Sequence, residues 1–189
     1  RNFQITPILD GPQAVDSTQF GAFVHAVITE IAAQEDSPDN VLRELQTSAL
    51  LERTGEGVPS GTMVMTSPPS NGYNARSYDP KGNIFPSCSA LRLHQNGDAI
   101  FLLGNVSTHS SEDVSNHPTI RTLMVASLTD CLPGYQHLWS APFIGLDPVG
   151  AYCDTGDLFP KMPTSKQHKA TQAMVEAVFR HLLASETVT

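Results

Sequence analysis

The chain has 189 residues, of which 40% are hydrophobic and 16% are charged, and its formal net charge is −8. This size and composition are typical of a single globular domain, residues 1–189, that buries a core without disulfide or metal support. The excess of acidic residues argues against a nucleic-acid partner, and the longest apolar stretches are too short to span a membrane. The sequence specifies neither an oligomeric state nor a compartment.

The start of the chain and its cysteines add two expectations. No signal peptide is visible, and the chain starts at Arg1, which predicts a processed product or an excised domain of a soluble protein. Cys88, Cys131 and Cys153 show no CxxC or Cys/His metal pattern, so no metal and no other cofactor is predicted. We interpret them as reduced, partly buried thiols, with one disulfide and a spare thiol as the alternative.

The first predicted elements are a strand and a helix. Residues 3–9 (FQITPIL) favour a strand, which Pro7 places at a sheet edge. Asp16 or Ser17 can cap a helix that ends near Gln34, because apolar residues recur there at helical spacing.

The middle of the chain predicts a second helix over 38–53 and a strand over 62–66, followed by a long loop. Residues 87–93 fit either a strand or a short helix. Asn96-Gly97 favours a hairpin turn after a strand, whereas the continuous apolar run that follows favours a parallel sheet.

The remaining elements are predicted as strands and a final helix. Residues 98–106 (DAIFLLGNV) read as a central strand buried on both faces. Residues 120–128 favour another strand, although a helix that begins at Pro118 competes with it. A last strand is predicted over 149–158, and an amphipathic helix over 164–184.

This series of strands and helices predicts an α/β fold, a layered domain with a mainly parallel or mixed central sheet flanked by helices. Ligands of such sheets bind at the carboxyl ends of the strands. For the strand at 98–106 this end lies at Gly104 and Asn105, which makes it the predicted location of a functional site.

A serine at the start of the first helix is the main catalytic candidate, because amides of a helix start can hold an oxyanion. The alternative is that Ser17 only caps the helix. The block Asp16-Ser17-x-x-x-Gly21 resembles the Gly-Asp-Ser-x-x-x-Gly motif of the SGNH or GDSL hydrolase family, with Val15 in place of the first glycine. Later glycine and Gly-x-Asn-Asp blocks of that family are loosely similar to the regions of Gly72 and Asn105.

The resemblance implies a small-molecule or acyl substrate and hydrolysis of its ester or acyl bond, with Ser17 as the nucleophile. It implies that the Ser17 amide, Gly72 and Asn105 hold the oxyanion. The family ends with Asp-x-x-His before its last helix, but here Phe159 and Pro160 stand where His-Pro is expected. The role of the base then falls to His168, oriented by Asp157 or Asp154. The alternative for His168 is an exposed histidine on a helix.

Two further interpretations stay open beside the serine hydrolase. Cys88 can open a helix and serve as the nucleophile of a cysteine hydrolase or protease, with a base among His94, His109 and His117, although a core cysteine is the alternative. The other is a non-catalytic binding or interaction domain, which the missing family histidine favours.

A metal site is the weakest candidate. Four residues of ligand type, namely His109, Glu112, Asp113 and His117, lie within nine positions. Their Ser/Asn-rich surroundings are typical of a solvated turn, and we predict no metal there.

Overall fold

The computed structural model of the chain describes residues 2–8, 12–34, 42–56, 72, 73 and 75–186. The strands within these residues are β1 (Asn2–Phe3), β2 (Arg43–Glu44), β3 (Ser77–Tyr78), β4 (Asn83–Phe85) and β5 (Gly104–Asn105). The helices are α1 (Ser17–Gln34), α2 (Leu45–Glu56), α3 (Cys88–Gln95), α4 (Ser111–Ser115), α5 (Pro118–Ala126), α6 (Pro148–Thr155) and α7 (Lys166–Glu186). Four single turns of 3₁₀ helix connect them, at Thr129–Cys131, Tyr135–His137, Ala141–Phe143 and Met162–Thr164.

The strands form two small sheets. β1 and β2 pair in parallel, whereas β3, β4 and β5 form an antiparallel sheet in that order. The protein is therefore a mixed α/β fold, as predicted in outline. The predicted layered central sheet is not found in the described part of the chain, where helices predominate.

The predicted central strand over 98–106 is wrong, because only the two residues of β5 are in a strand there. The carboxylate of Asp98 accepts a hydrogen bond from the Ile100 N–H at 3.0 Å and turns the chain before a strand can form. Ile100 is 55% exposed, although a strand buried on both faces would hide it. The apolar run therefore enters the core from a turn and not along a sheet.

The predicted strand over 149–158 is also wrong, because α6 covers most of it. Asp147 caps this helix, since its Oδ1 accepts a hydrogen bond from the N–H of Val149 at 3.1 Å. A proline occupies the first helical position, and Gly156 ends the helix with φ 74°. These start and stop signals outweigh the apolar content of the segment.

Both segments with competing predictions are helices. Over 87–93 the chain forms α3, capped by Ser87, whose hydroxyl accepts a hydrogen bond from a main-chain N–H of the first turn. Asn96-Gly97 therefore ends a helix and does not form a hairpin. Over 120–128 the chain forms α5, with Pro118 in its first position.

The amphipathic helices at the two ends are confirmed. The helix predicted from Asp16 or Ser17 to Gln34 is α1, and the helix predicted over 164–184 is α7. On α1 the buried side chains are Phe20, Val24 and Ile28, which recur every four residues along one face. This face packs on α7 and contributes to the largest hydrophobic cluster.

The buried carboxylate of Glu44 explains two other differences from prediction. Its Oε1 accepts a hydrogen bond from the Ile5 N–H at 2.9 Å, so the strand predicted over 3–9 is not continued beyond Phe3. Its Oε2 accepts from the Thr47 N–H at 2.7 Å and caps α2, which begins later than the predicted 38–53. Residues 38–41, and the strand predicted over 62–66, lie outside the described residues.

Two smaller clusters complete the packing. One brings together α3, α5 and α6 around Phe85, and the other joins β4 to α4 and α5 through residues such as Ile84 and Ile120. Within the described residues, no helix has the length and apolarity that are needed to span a membrane.

Gly21 of α1 lies close to α7 in this contact. A Cβ at this position would lie 3.1 Å from the Cβ and 3.2 Å from the carbonyl oxygen of Ala173. We expect Gly21→Leu to lower the free energy of unfolding by about 1–3 kcal/mol, because the larger side chain forces the helices apart. Urea unfolding followed by circular dichroism measures this loss.

Two controls accompany this prediction. Ala173→Gly in the Gly21→Leu background should restore part of the loss, because it removes the facing methyl group. Ala26→Leu, on the exposed side of α1, should change the stability by less than about 0.5 kcal/mol. Equal effects at positions 21 and 26 would show that Gly21 does not set the helix contact.

Candidate functional site

Ser17 is the first residue of α1 and is half-buried. The preceding residue, Asp16, caps this helix: its Oδ1 accepts hydrogen bonds from the N–H groups of Thr18 at 2.7 Å and Gln19 at 3.0 Å. The Asp16 carboxylate therefore occupies the Thr18 and Gln19 amides, two of the main-chain donors at this helix start. A second negative charge at the same place would be repelled.

His168 lies in the first turns of α7 and is only 2% exposed, so the alternative of an exposed helix histidine is wrong. Its main-chain N–H donates to the Ser165 hydroxyl at 3.2 Å, which places the residue firmly in the helix start. Within the described residues neither ring nitrogen has a hydrogen-bond partner. Burial lowers the pKa of the imidazole. The Gln172 side chain opposes this effect, although it does not complete a hydrogen bond to the ring.

Ser17 and His168 lie on two helices, α1 and α7, that pack against each other. On α7 this contact is made by Ala173, next to Gly21, and by His181, whose ring centroid lies 6.4 Å from that of His25. At about 100° per residue, His168 lies about 140° around the helix axis from both Ala173 and His181. His168 thus lies on a different side of α7 from these two contacts, and among the described residues no hydrogen bond joins Ser17 to its imidazole.

The predicted orienting carboxylates do not reach His168 either. Asp157 is exposed between α6 and α7, and its Oδ1 accepts a hydrogen bond from the Phe159 N–H at 2.8 Å. Asp154 is exposed in the last turn of α6. The described contacts include none between either carboxylate and the imidazole. The serine, the histidine and the aspartate therefore do not form a triad in this structure.

The two predicted oxyanion donors already make structural hydrogen bonds. The buried Gly72 N–H donates to the carbonyl oxygens of Ala75 at 2.8 Å and Pro86 at 2.9 Å. The Asn105 side-chain amide donates to the Lys81 carbonyl oxygen at 2.9 Å and to Asn83 Oδ1 at 3.0 Å. Both groups hold the antiparallel sheet and its neighbouring loop, and neither is free to bind a substrate oxygen.

Cys88 is more accessible than Ser17. It is exposed in the first position of α3, and its Sγ lies 3.4 Å from the Ser77 hydroxyl. All three cysteines are free, so the disulfide alternative is wrong, and they are exposed instead of partly buried as expected. Burial, together with nearby Asp147, raises the pKa of the Cys153 thiol, which opposes a role as a nucleophile.

The candidate bases for Cys88 have other roles. His94 packs its ring on Phe85, with the centroids 5.0 Å apart. His109 accepts the Asn105 N–H through Nδ1 at 3.2 Å, and His117 caps α5 through Nδ1. No hydrogen bond joins any of these rings to Cys88 among the described contacts.

The candidate metal ligands serve the local helices. Asp113 forms a capping box with Ser110 at the start of α4, and this hydrogen bond lowers the pKa of the Asp113 carboxyl group. His117 caps the next helix. In the described segments, no three His, Cys, Asp or Glu residues are grouped so that they could hold a metal ion.

The buried state of His168 predicts a pH dependence of stability. Since the folded-state pKa lies below the unfolded value of about 6.5, the unfolded chain binds the proton more tightly. The stabilisation is fully present above the unfolded pKa and is lost as the pH falls through 6.5 towards the folded pKa. Each pKa unit of depression corresponds to about 1.4 kcal/mol.

We therefore expect His168→Leu to flatten the decline in unfolding free energy between about pH 7 and pH 5. Urea unfolding at a series of pH values measures this slope. His137→Leu, at an exposed position, is the control and should retain the wild-type slope. An unchanged slope in the His168 variant would show that its ring is not buried as a neutral base.

Comparisons with known proteins add no constraint. No protein-family model, curated protein or solved structure matches this chain. Sequence patterns missed the carboxylates of Glu44 and Asp147, which organise α2 and α6. Each of them directly precedes the first residue of its helix, and this position is the signal that could have identified them.

Proposed function

We propose that this chain is a non-catalytic binding or interaction domain, the third of the functions that its sequence left open. The carboxylate of Asp16 carries this proposal, because it occupies the start of α1 beside Ser17. A serine hydrolase needs free donors there as negative charge develops on the substrate. In this domain Ser17 is part of a capped helix start, and Asp16 is the residue that caps it.

The other predicted site residues support the same proposal. Gly72 and Asn105 use their donors within the protein, and His168 is buried without a hydrogen bond to Ser17. The surface, in contrast, presents large apolar side chains. Trp139 is 52% exposed and Val125 of α5 is 54% exposed. Other large apolar side chains are exposed as well. Exposed apolar groups that are close together are typical of protein-binding surfaces.

Active-site labelling tests this proposal against the serine-hydrolase hypothesis. The purified protein and its Ser17→Ala variant are treated with a fluorophosphonate probe and assayed for hydrolysis of p-nitrophenyl acetate. We expect no labelling of Ser17 by mass spectrometry and the same residual turnover in both proteins. Labelling of Ser17, with turnover lost in a folded Ser17→Ala variant, would overturn the proposal and support an SGNH-type esterase.

A second candidate function is hydrolysis by Cys88, which the exposure of its thiol at the start of α3 favours. Iodoacetamide treatment followed by the same turnover assay tests it. Loss of turnover on alkylation and in Cys88→Ser, but not in Cys131→Ser, would favour this function over a binding domain. Cys131 is the matched control because it is also free and exposed.

A further inference from the structure

The helix α5 has one buried side and one apolar exposed side. Ile120, Leu123 and Ala126 are buried against the protein. Met124, Val125 and Leu128 are 38%, 54% and 39% exposed. With Arg121 these three exposed residues form what we call the outer α5 face.

The residues of this face are contiguous. Positions 121, 124, 125 and 128 fall within about 100° around the helix axis, and they extend over about 10 Å along it. Leu128 continues this row because its N–H donates to the Val125 carbonyl oxygen and the capping residue Ser127 keeps helical dihedral angles. The face therefore matches two turns of a second helix in length.

Arg121 gives this face a charge preference. It is exposed, and within the described residues it makes no ion pair or side-chain hydrogen bond. Its guanidinium group is therefore exposed beside the apolar side chains of this face. A guanidinium group beside an apolar surface favours a carboxylate on whatever covers that surface, because it can bind both oxygens.

We propose that the outer α5 face binds a short amphipathic helix of a partner protein, with apolar side chains over two turns and a carboxylate opposite Arg121. This inference rests on the proposed binding function and names its surface and partner. A second copy of the chain fits less well, because each copy carries a net charge of −8 and would present the same arginine. Four side chains are also few for a stable dimer, which buries about 800 Å² per subunit.

A displayed library of helical peptides provides the probe. An apolar stripe at i, i+3, i+4 and i+7 is held constant, the other positions are randomised, and the library is selected against the purified protein. We expect the selected peptides to carry Asp or Glu at one end of the stripe. Fluorescence anisotropy of a selected synthetic peptide then gives dissociation constants for the wild type and the variants.

Three variants locate the binding site. Val125→Glu should weaken binding at least about tenfold, because it places a charge at the centre of the contact. Arg121→Glu should weaken it as well, and exchange of the peptide's acidic residue for Lys should restore binding to this variant. Ile100→Glu is the matched control: its wild-type side chain is 55% exposed and lies outside α5, and binding should stay within about twofold.

Other outcomes would overturn the inference. These are a selection without enrichment, peptides that bind the Val125 and Ile100 variants equally, or a failed charge exchange at Arg121. Sedimentation velocity measures whether the free protein forms a dimer. A dimer that is lost in Val125→Glu would assign the outer α5 face to a second copy of the chain. None of these experiments depends on the reactivity of Ser17 or Cys88. The proposed function is therefore tested separately, by labelling and turnover.

Discussion

Phe85→Ala should lower the free energy of unfolding by about 3–5 kcal/mol, the largest effect that we expect from a single truncation. Phe85 ends β4, has no exposed surface and packs its ring on His94. It also belongs to the cluster that joins α3, α5 and α6, so its removal leaves a cavity where three helices meet. This loss is a large share of the roughly 5–15 kcal/mol that stabilises a typical domain.

Urea unfolding monitored by circular dichroism and by near-ultraviolet signals measures this change. Phe85→Leu is a milder second variant for the case that the alanine variant does not fold. Its loss of unfolding free energy should be smaller than the loss expected for alanine. Phe23→Ala is the control of the same residue type, because Phe23 of α1 is 55% exposed. It should lower the free energy of unfolding by less than about 0.5 kcal/mol. Comparable losses at positions 23 and 85 would contradict the described core.

Glu44→Ala should cost about 3 kcal/mol, the second large effect. The side chain is 1% exposed and accepts two main-chain hydrogen bonds, from Ile5 and Thr47. Removal of the buried Glu44 side chain leaves both N–H groups without this acceptor. The variant should therefore lose the β1–β2 pairing as well as the capped start of α2.

Hydrogen exchange of the Ile5 and Thr47 amides, measured by NMR, locates this effect. Both amides should exchange faster in Glu44→Ala, and Glu44→Gln should show a smaller change because one amide oxygen can still accept a hydrogen bond. Glu112→Ala, on the exposed surface of α4, should leave global stability within about 0.5 kcal/mol. Slow exchange of Ile5 in the alanine variant would mean that β1 does not depend on Glu44.

The sequence predicted the helices at both ends of the fold because their apolar residues repeat at helical spacing. It predicted strands over 98–106 and 149–158 because a short apolar run has no period that separates a strand from a buried helix or turn. Asp98 and Asp147 decided these segments through hydrogen bonds to nearby main-chain amides. These hydrogen bonds are local in the chain, and the residue types that can accept them are known from the sequence.

The candidate site was less predictable than the helices. The sequence placed Ser17 correctly at a helix start, but residue type does not reveal which acceptor occupies the neighbouring amides. It also could not show on which side of α7 His168 lies, because that depends on the contact between α1 and α7. The location of a site requires these long-range contacts, whereas the location of a helix does not.

The contact of Gly21 with Ala173 also constrains how the protein can fold during synthesis. It joins two helices about 150 residues apart in the chain. At about 5–20 residues per second, a ribosome needs on the order of 10 s to make the intervening segment. During this time the apolar side chains of α1, such as Phe20 and Val24, have no α7 to cover them. The nascent chain therefore offers a hydrophobic helix to chaperones, and its main core closes only after α7 has left the ribosome.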